Sequence, residues 1–389
     1  MMRNSRAVGC ALALFVGASG GCSDSAASPG DGGTGDARGV VIDAKPVVID
    51  ARPEPPPLLE AEWDVSVADY ISDIDQARMF STGIVIVTDR ELILIDKNDG
   101  HVIARTQLPG GPADPSFVPF FVRESGNFTA TQLVFFEDEK EAHVVRYEWA
   151  STDLSLLSST RMPLEGNGAL ISELDGELYF VVHEPNPEND NRKELVHIDG
   201  NNQIDNRFSV TEEAYSFSGH GLAKTDGHLL FCASLHMAGP ALFWLDPQTS
   251  TVESHVVSTE RSSDCSLVPA PDRLLMYWRT GGMPNHANWN LLSMDGKTVL
   301  AMNREVVPPL GPHTYVDGDF VASFEFDVWA LDAETGSLRG PYQLPVPKEV
   351  WAGQEQLVSD GTTLYAAVAA SPGFGGQIHI VKLKPLPRY

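Results

Sequence analysis

One phrase recurs along this chain and limits its fold more than any composition figure does. It is an apolar strand ending in aspartate, then a short polar turn, then a second strand. It reads Leu92-Ile93-Leu94-Ile95-Asp96-Lys97-Asn98-Asp99-Gly100 and Leu242-Phe243-Trp244-Leu245-Asp246-Pro247-Gln248-Thr249-Ser250, and most fully Val328-Trp329-Ala330-Leu331-Asp332-Ala333-Glu334-Thr335-Gly336. Looser copies are Leu195-Val196-His197-Ile198-Asp199-Gly200 and Leu291-Leu292-Ser293-Met294-Asp295-Gly296. An aspartate at the head of such a turn accepts hydrogen bonds from backbone amides ahead of it, and Gly or Asn takes the left-handed conformation that closes a hairpin. Each copy therefore predicts a pair of antiparallel strands.

A second hairpin signal precedes most copies: Asp175-Gly176, Asp226-Gly227, Pro271-Asp272, Asp317-Gly318 and Asp360-Gly361, each followed by a strongly apolar strand. The unit thus holds four strands, A to D. The markers Asp199, Asp246, Asp295 and Asp332 lie 47, 49 and 37 residues apart, a spacing expected of propeller blades. With further units around Asp96, Tyr147 and Lys382, the body from Leu58 to Tyr389 divides into seven. The expectation is an all-β, seven-bladed β-propeller of four-stranded antiparallel blades, because radial repetition leaves only short, protected sheet edges. Six or eight units are the alternatives, since Phe117 to Leu157 is irregular, and a pair of β-sandwiches is the runner-up architecture. The last unit supplies only Gln356 to Ser359, Thr363 to Ala369 and Ile378 to Leu383, so Glu62 to Ala68 is expected to complete it as the outer strand. The 34 glycines and 27 prolines, spread along the chain, fit many tight turns.

Composition excludes several classes. With 42% hydrophobic residues the chain can bury a full core, and 27 Lys+Arg against 53 Asp+Glu give a formal charge of −26, which disfavours sequence-independent nucleic-acid binding. Residues 1–21 have the layout of a bacterial export signal: Arg3 and Arg6, the apolar run Ala11 to Val16, then small residues. That run is too short to span a bilayer. Ser19-Gly20-Gly21-Cys22 resembles a lipobox, with Ser19 where that pattern prefers leucine, so Cys22 is the expected lipidation site. Cleavage near Ala18 to Gly20 would instead free a secreted protein. Residues 22–57 are rich in Gly, Asp, Ala and Pro, repeat Val-Val-Ile-Asp-Ala from Val40 and from Val47, and read as a disordered tether. The propeller then occupies 58–389. Ser23 lacks the aspartate that retains such lipoproteins in the inner membrane, which favours an outer-membrane address in the cell envelope.

The phrase from Val328 to Arg339 resembles the repeat of quinoprotein-like propellers, whose strand-Asp-x-x-Thr-Gly turn it reproduces. The resemblance implies a blade type. The redox enzymes of that family use vicinal cysteines, dense tryptophan docking motifs and often a haem; this chain has no vicinal cysteines, no C-x-x-C-H and seven tryptophans, so no cofactor is expected. Propeller lipoproteins of the outer-membrane protein assembly machinery are nearer in size and address.

Cys232 and Cys265 are the two cysteines left after Cys10 in the signal and Cys22 at the lipid site; in an oxidising compartment they can form one disulfide stapling neighbouring blades, the alternative being two buried, reduced thiols acting as small apolar side chains. His228, Cys232 and His236 cannot share one metal, because four residues of strand span ~13 Å and zinc needs ligands at about 2.0–2.3 Å. The starts of strand A and the B-to-C loops share one face around the channel mouth, where Asn167, His220, Asp264, His286, Trp289 and His313 are the candidate ligand-binding residues. The first functional reading is a lipid-anchored binding or scaffold module for a protein, peptide or glycan. The alternative is an envelope hydrolase or lyase using His220, His286 and His313.

Overall fold

The computed structural model describes residues 56–68, 74–88, 91–109, 121–136, 141–164, 167–174, 177–183, 193–198, 204–210, 214–217, 223–225, 227–235, 239–246, 248–249, 251–258, 262–280, 287–303, 313–346, 354–369 and 377–388. They form 29 strands, β1 to β29 in chain order. The export signal, Cys22 and the tether lie outside the described residues.

Six sheets are blades of four antiparallel strands each. In chain order, Ile74 to Gln107 holds β2 to β5, Phe121 to Leu164 holds β6 to β9, and Asn167 to Val210 holds β10 to β13. Ser262 to Met302 holds β19 to β22, and Thr314 to Gln343 holds β23 to β26. The sixth has the order β1-β29-β28-β27, with β1 at Ala61–Ala68 and β27 to β29 between Gln354 and Leu383.

The expected seven blades of four strands are corrected to these six. The remaining sheet, between Ala214 and Val256, has five strands, because its inner strand is split. β14 (Ala214–Phe217) and β15 (Ala223–Thr225) both pair with β16 (His228–Leu235). Phe217 faces Ala233 and Ala223 faces Leu230, so five residues on one side stand against two on the other. One continuous ladder cannot absorb that mismatch.

Cys232 lies on β16 opposite that interruption. It is joined by a disulfide to Cys265 of β19 (Ser262–Pro269), with Cα atoms 5.8 Å apart and the two cysteines 33 positions apart in sequence. Closing a loop of that length contributes about 3–4 kcal/mol. Reduction with dithiothreitol is therefore expected to lower the thermal midpoint by about 5–10 °C, with no change for a Cys232→Ala, Cys265→Ala double variant.

Apolar cores lie between neighbouring sheets, face to face. One packs Leu275, Tyr277 and Leu291 of the β19–β22 sheet against Phe320, Ala322 and Leu331 of the next. Another packs Ile84, Ile86 and Ile93 against Tyr365, Ala367 and Ile380. A central strand is therefore covered on both faces: β3 (Ile84–Thr88) and β4 (Glu91–Ile95) are buried at every position. The outer strand β5 (Val102–Gln107) alternates between half-buried and exposed.

The recurrent turn behaves as its sequence requires. Asp332 Oδ1 accepts from the amides of Glu334 (3.0 Å) and Thr335 (2.7 Å), while Gly336, at φ 71°, donates to the Asp332 carbonyl. The Thr249 hydroxyl and the Gln248 amide do the same for Asp246, and they hold its carboxyl below the ordinary range. The turn glycines also serve as seats for tryptophans of the preceding blade. A Cβ on Gly100 would meet the Trp63 ring at 2.8 Å, one on Gly296 would meet Trp244 at 3.4 Å, and one on Gly336 would meet Trp289 at 3.0 Å. Trp63 and Trp244 then donate Nε1–H to the carbonyls of Asn98 and Asp295. Three seams are thus clasped by a tryptophan on a glycine.

The ring is closed by β1, which pairs antiparallel with β29 (Ile378–Leu383) from Ala61↔Leu383 to Ala68↔Ile378. Along this ladder Glu60, Glu62 and Asp64 meet Lys384, Lys382 and His379 at 2.6, 2.6 and 3.1 Å. The opposite charges of Glu60 with Lys384 and of Glu62 with Lys382 favour this register, since a one-residue slip would break both pairs. On the inner side, Gln356 Oε1 accepts from the Ala77 amide (2.6 Å) and its Nε2 donates to the Ile74 carbonyl (3.0 Å), joining the last blade to the first.

Candidate functional site

The topology places the starts of the inner strands and the B-to-C loops on one face. Asn167 opens β10 (Asn167–Leu174) opposite His183, Asp264 sits on β19 opposite Arg279, and His313 immediately precedes β23 (Thr314–Val316). His220, His286 and the loops 184–192, 236–238 and 281–286 lie outside the described residues. Convergence of the three histidines is therefore not part of the observed geometry.

His313 is the one member of that set whose surroundings are described. Its ring lies 4.5 Å from the Tyr277 ring, centroid to centroid, and Arg279 Nε donates to the Tyr277 hydroxyl at 3.2 Å. The Nδ1 atom is enclosed without a hydrogen-bond partner. Burial, reinforced by the Arg279 cation, pushes the His313 pKa down to about 3. The imidazole is neutral throughout the physiological range. The consequence for stability has a definite sign. The unfolded chain takes up a proton here near pH 6.5, the folded chain only near pH 3, so folding stability falls as pH drops through this window. A His313→Gln variant, followed by urea titration at pH 7 and pH 4.5, is expected to lose less stability on acidification than the parent chain.

Trp289 does not belong to that face. It lies in β21 (Ala287–Ser293) opposite Tyr277, is buried, and packs against Gly336 of the next blade. Its Nε1 is buried without a partner, unlike the donors of Trp63 and Trp244. Here the seam opens into a cleft of about 700 Å³, lined by Trp289, by Val299 to Asn303, and by the turn from Thr335 to Leu338. Among the described residues no charged side chain lines it. One wall is β22 (Val299–Met302), the outer strand of its sheet, where Val299, Leu300 and Met302 are 47%, 50% and 56% exposed. The sequence signal for this surface is the apolar run Val299-Leu300-Ala301-Met302, where the equivalent β18 (Thr251–Val256) reads Thr-Val-Glu-Ser-His-Val.

Two polar regions also lie on the described surface. A hollow of about 510 Å³ beside the turns is lined by Asp272, Arg273, Asp317, Asp319, Asp332, Glu334, Arg339 and Arg388 among others. Its arginines are engaged: Arg273 with Asp272, Arg339 with Asp319, and Arg388 with Asp317. Asp96, Asp99 and His101 bring potential ligand atoms within 4.8 Å of one another. Both carboxylates already accept turn amides, from Asn98 and His101.

No family model matches the chain, and no curated protein matches it. Solved structures do. A WD40 domain of Pan2 from Neurospora crassa aligns over 86% of this chain and 99% of its own, at 10% identity and a TM-score of 0.52. A chain of the mitotic checkpoint complex aligns over 88% of this chain and 97% of its own, at 11% identity and a TM-score of 0.53. At that identity the likeness is one of fold: the chain is a β-propeller.

Proposed function

We propose that this chain is a lipid-anchored module of the cell envelope whose propeller holds a protein, peptide or glycan partner. The observation that carries the binding reading is the open cleft of about 700 Å³, whose described lining carries no charge, in a chain whose formal charge is −26. A surface that keeps apolar side chains exposed amid so many carboxylates is one that a partner covers. The matched chain of the mitotic checkpoint complex was itself solved within an assembly. The address rests on Arg3, Arg6, the apolar run and Ser19-Gly20-Gly21-Cys22, with residues 22–57 as the spacer and the outer membrane as destination.

His313 weighs against the hydrolase or lyase reading. A general base works best with a pKa near the working pH, and an imidazole held at about 3 is a weak base at neutrality.

Two experiments test the proposal. Replacing Cys22 with serine is expected to release the protein from the membrane fraction, and unchanged fractionation refutes the anchor. A photo-crosslinking amino acid at Gln377, on the loop face beside β29, is expected to trap a discrete partner in intact cells. Absence of any adduct there and at the β22 edge refutes the binding reading.

A further inference from the structure

We propose that β22 and the cleft behind it dock an extended, apolar, net-basic peptide segment of a partner protein, which joins the β19–β22 sheet as an added outer strand. This deepens the binding reading and rests on it.

The argument begins with the edge. β22 is last in its sheet, so alternate backbone N–H and C=O groups along Val299 to Met302 point away from β21, and among the described residues no strand pairs with them. Outer strands are normally protected by charge. β1 carries Glu62 and Asp64, and β5 carries Arg105, whereas β22 carries no charged side chain. The register shift between Leu291 and Leu292 leaves Leu300 out of the ladder to β21 and half exposed.

The cleft supplies what an edge alone lacks, namely a place for side chains. An added strand alternates its side chains, one set toward solvent and the other toward the sheet's neighbour. Here the second set meets a hollow walled by Trp289, Ala301 and Leu338. A volume of about 700 Å³ accommodates several aliphatic side chains, within the range of small-ligand sites.

The occupant follows from charge and area. Each copy of the chain carries −26, so two copies repel. A four-residue strand also falls short of the ~1,000 Å² that a stable protein interface needs. The chain as a whole is strongly acidic, at a formal −26, and attracts a basic segment. An extended peptide with apolar alternate residues and basic ends satisfies the edge, the cleft and this net charge together.

The test uses the full chain and a fluorescein-labelled, acetylated heptapeptide of alternating valine and threonine with a lysine at each end. Fluorescence anisotropy is expected to give a dissociation constant of about 10–100 μM, typical of a small interface. Met302→Asp is expected to weaken binding at least tenfold, and so is N-methylation of alternate peptide amides, which removes ladder donors while keeping the side chains. Val256→Asp, on the exposed outer strand β18, is expected to leave it unchanged. Binding that is absent at millimolar peptide, or indifferent to Met302→Asp and to N-methylation, overturns the proposal. Sedimentation showing a dimer that Met302→Asp dissociates also overturns it, since the occupant is then a second copy. Crosslinkers at positions 300 and 377 separate the two claims. An adduct only at 377 rejects the β22 site and retains the binding reading, whereas adducts at neither position reject both.

Discussion

Deleting residues 58–68 is expected to abolish the single cooperative thermal transition, or to lower its midpoint by at least about 10 °C. The deletion removes Leu59 and Val67, both buried, each of which contributes about 1.5–3 kcal/mol. It also removes Trp63 from its seat on Gly100, and it leaves β29 as a raw edge. Against a total stability of about 5–15 kcal/mol, such a loss takes most of the margin. Midpoint shifts of about 2 °C per kcal/mol in a chain of this size set the lower figure. The deletion also creates a long unpaired edge, so concentration-dependent aggregation above the midpoint should accompany it. Calorimetry beside light scattering measures both.

Gly83→Ala is the second large effect, and it is a local one. Gly83 lies in the turn between β2 (Ile74–Met79) and β3, where its carbonyl accepts from the Phe80 amide. A Cβ there would clash with the carbonyl oxygen of Ile95, the last residue of β4, which is backbone and cannot move aside as a side chain would. The expected loss is about 3 kcal/mol or more, in the range of overpacked cores. Gly227→Ala provides the contrast. It has φ 82° and nothing within 4 Å of the new methyl, so only the conformational cost of about 1 kcal/mol applies. Urea midpoints of the two variants should therefore separate clearly, and equal midpoints would show that the close approach at Gly83 is wrong.

What was legible in the sequence was local chemistry. Asp96, Asp246, Asp295 and Asp332 head turns whose bonds run to amides two or three residues ahead, so each turn carries its own instruction. The pairing of β1 with β29 was legible because the last unit lacked a strand and Glu62 to Ala68 was left over. The split inner strand was not legible. Nothing in Ser218 to Leu222 alone tells that its partner has room for only two residues, because register is a property of two strands. Trp289 was read as a loop residue near His286, yet Ala287 already pairs with Arg279, so the strand begins earlier and carries the ring into the seam. The tryptophan seats at Gly100, Gly296 and Gly336, and the cleft beside β22, unite residues from different blades, and no single window of sequence contains them.

Everything about the site depends on ring closure, because an open chain of sheets would not hold the seams or the cleft beside β22 in place. Hydrogen exchange on the peptide covering Ala61 to Ala68, read by mass spectrometry at neutral pH, tests closure directly. The account predicts that its ladder amides exchange as slowly as those of Ile378 to Leu383. Complete exchange of Ala61 to Ala68 within seconds, with Ile378 to Leu383 still protected by β28 (Leu364–Ala369), would contradict it.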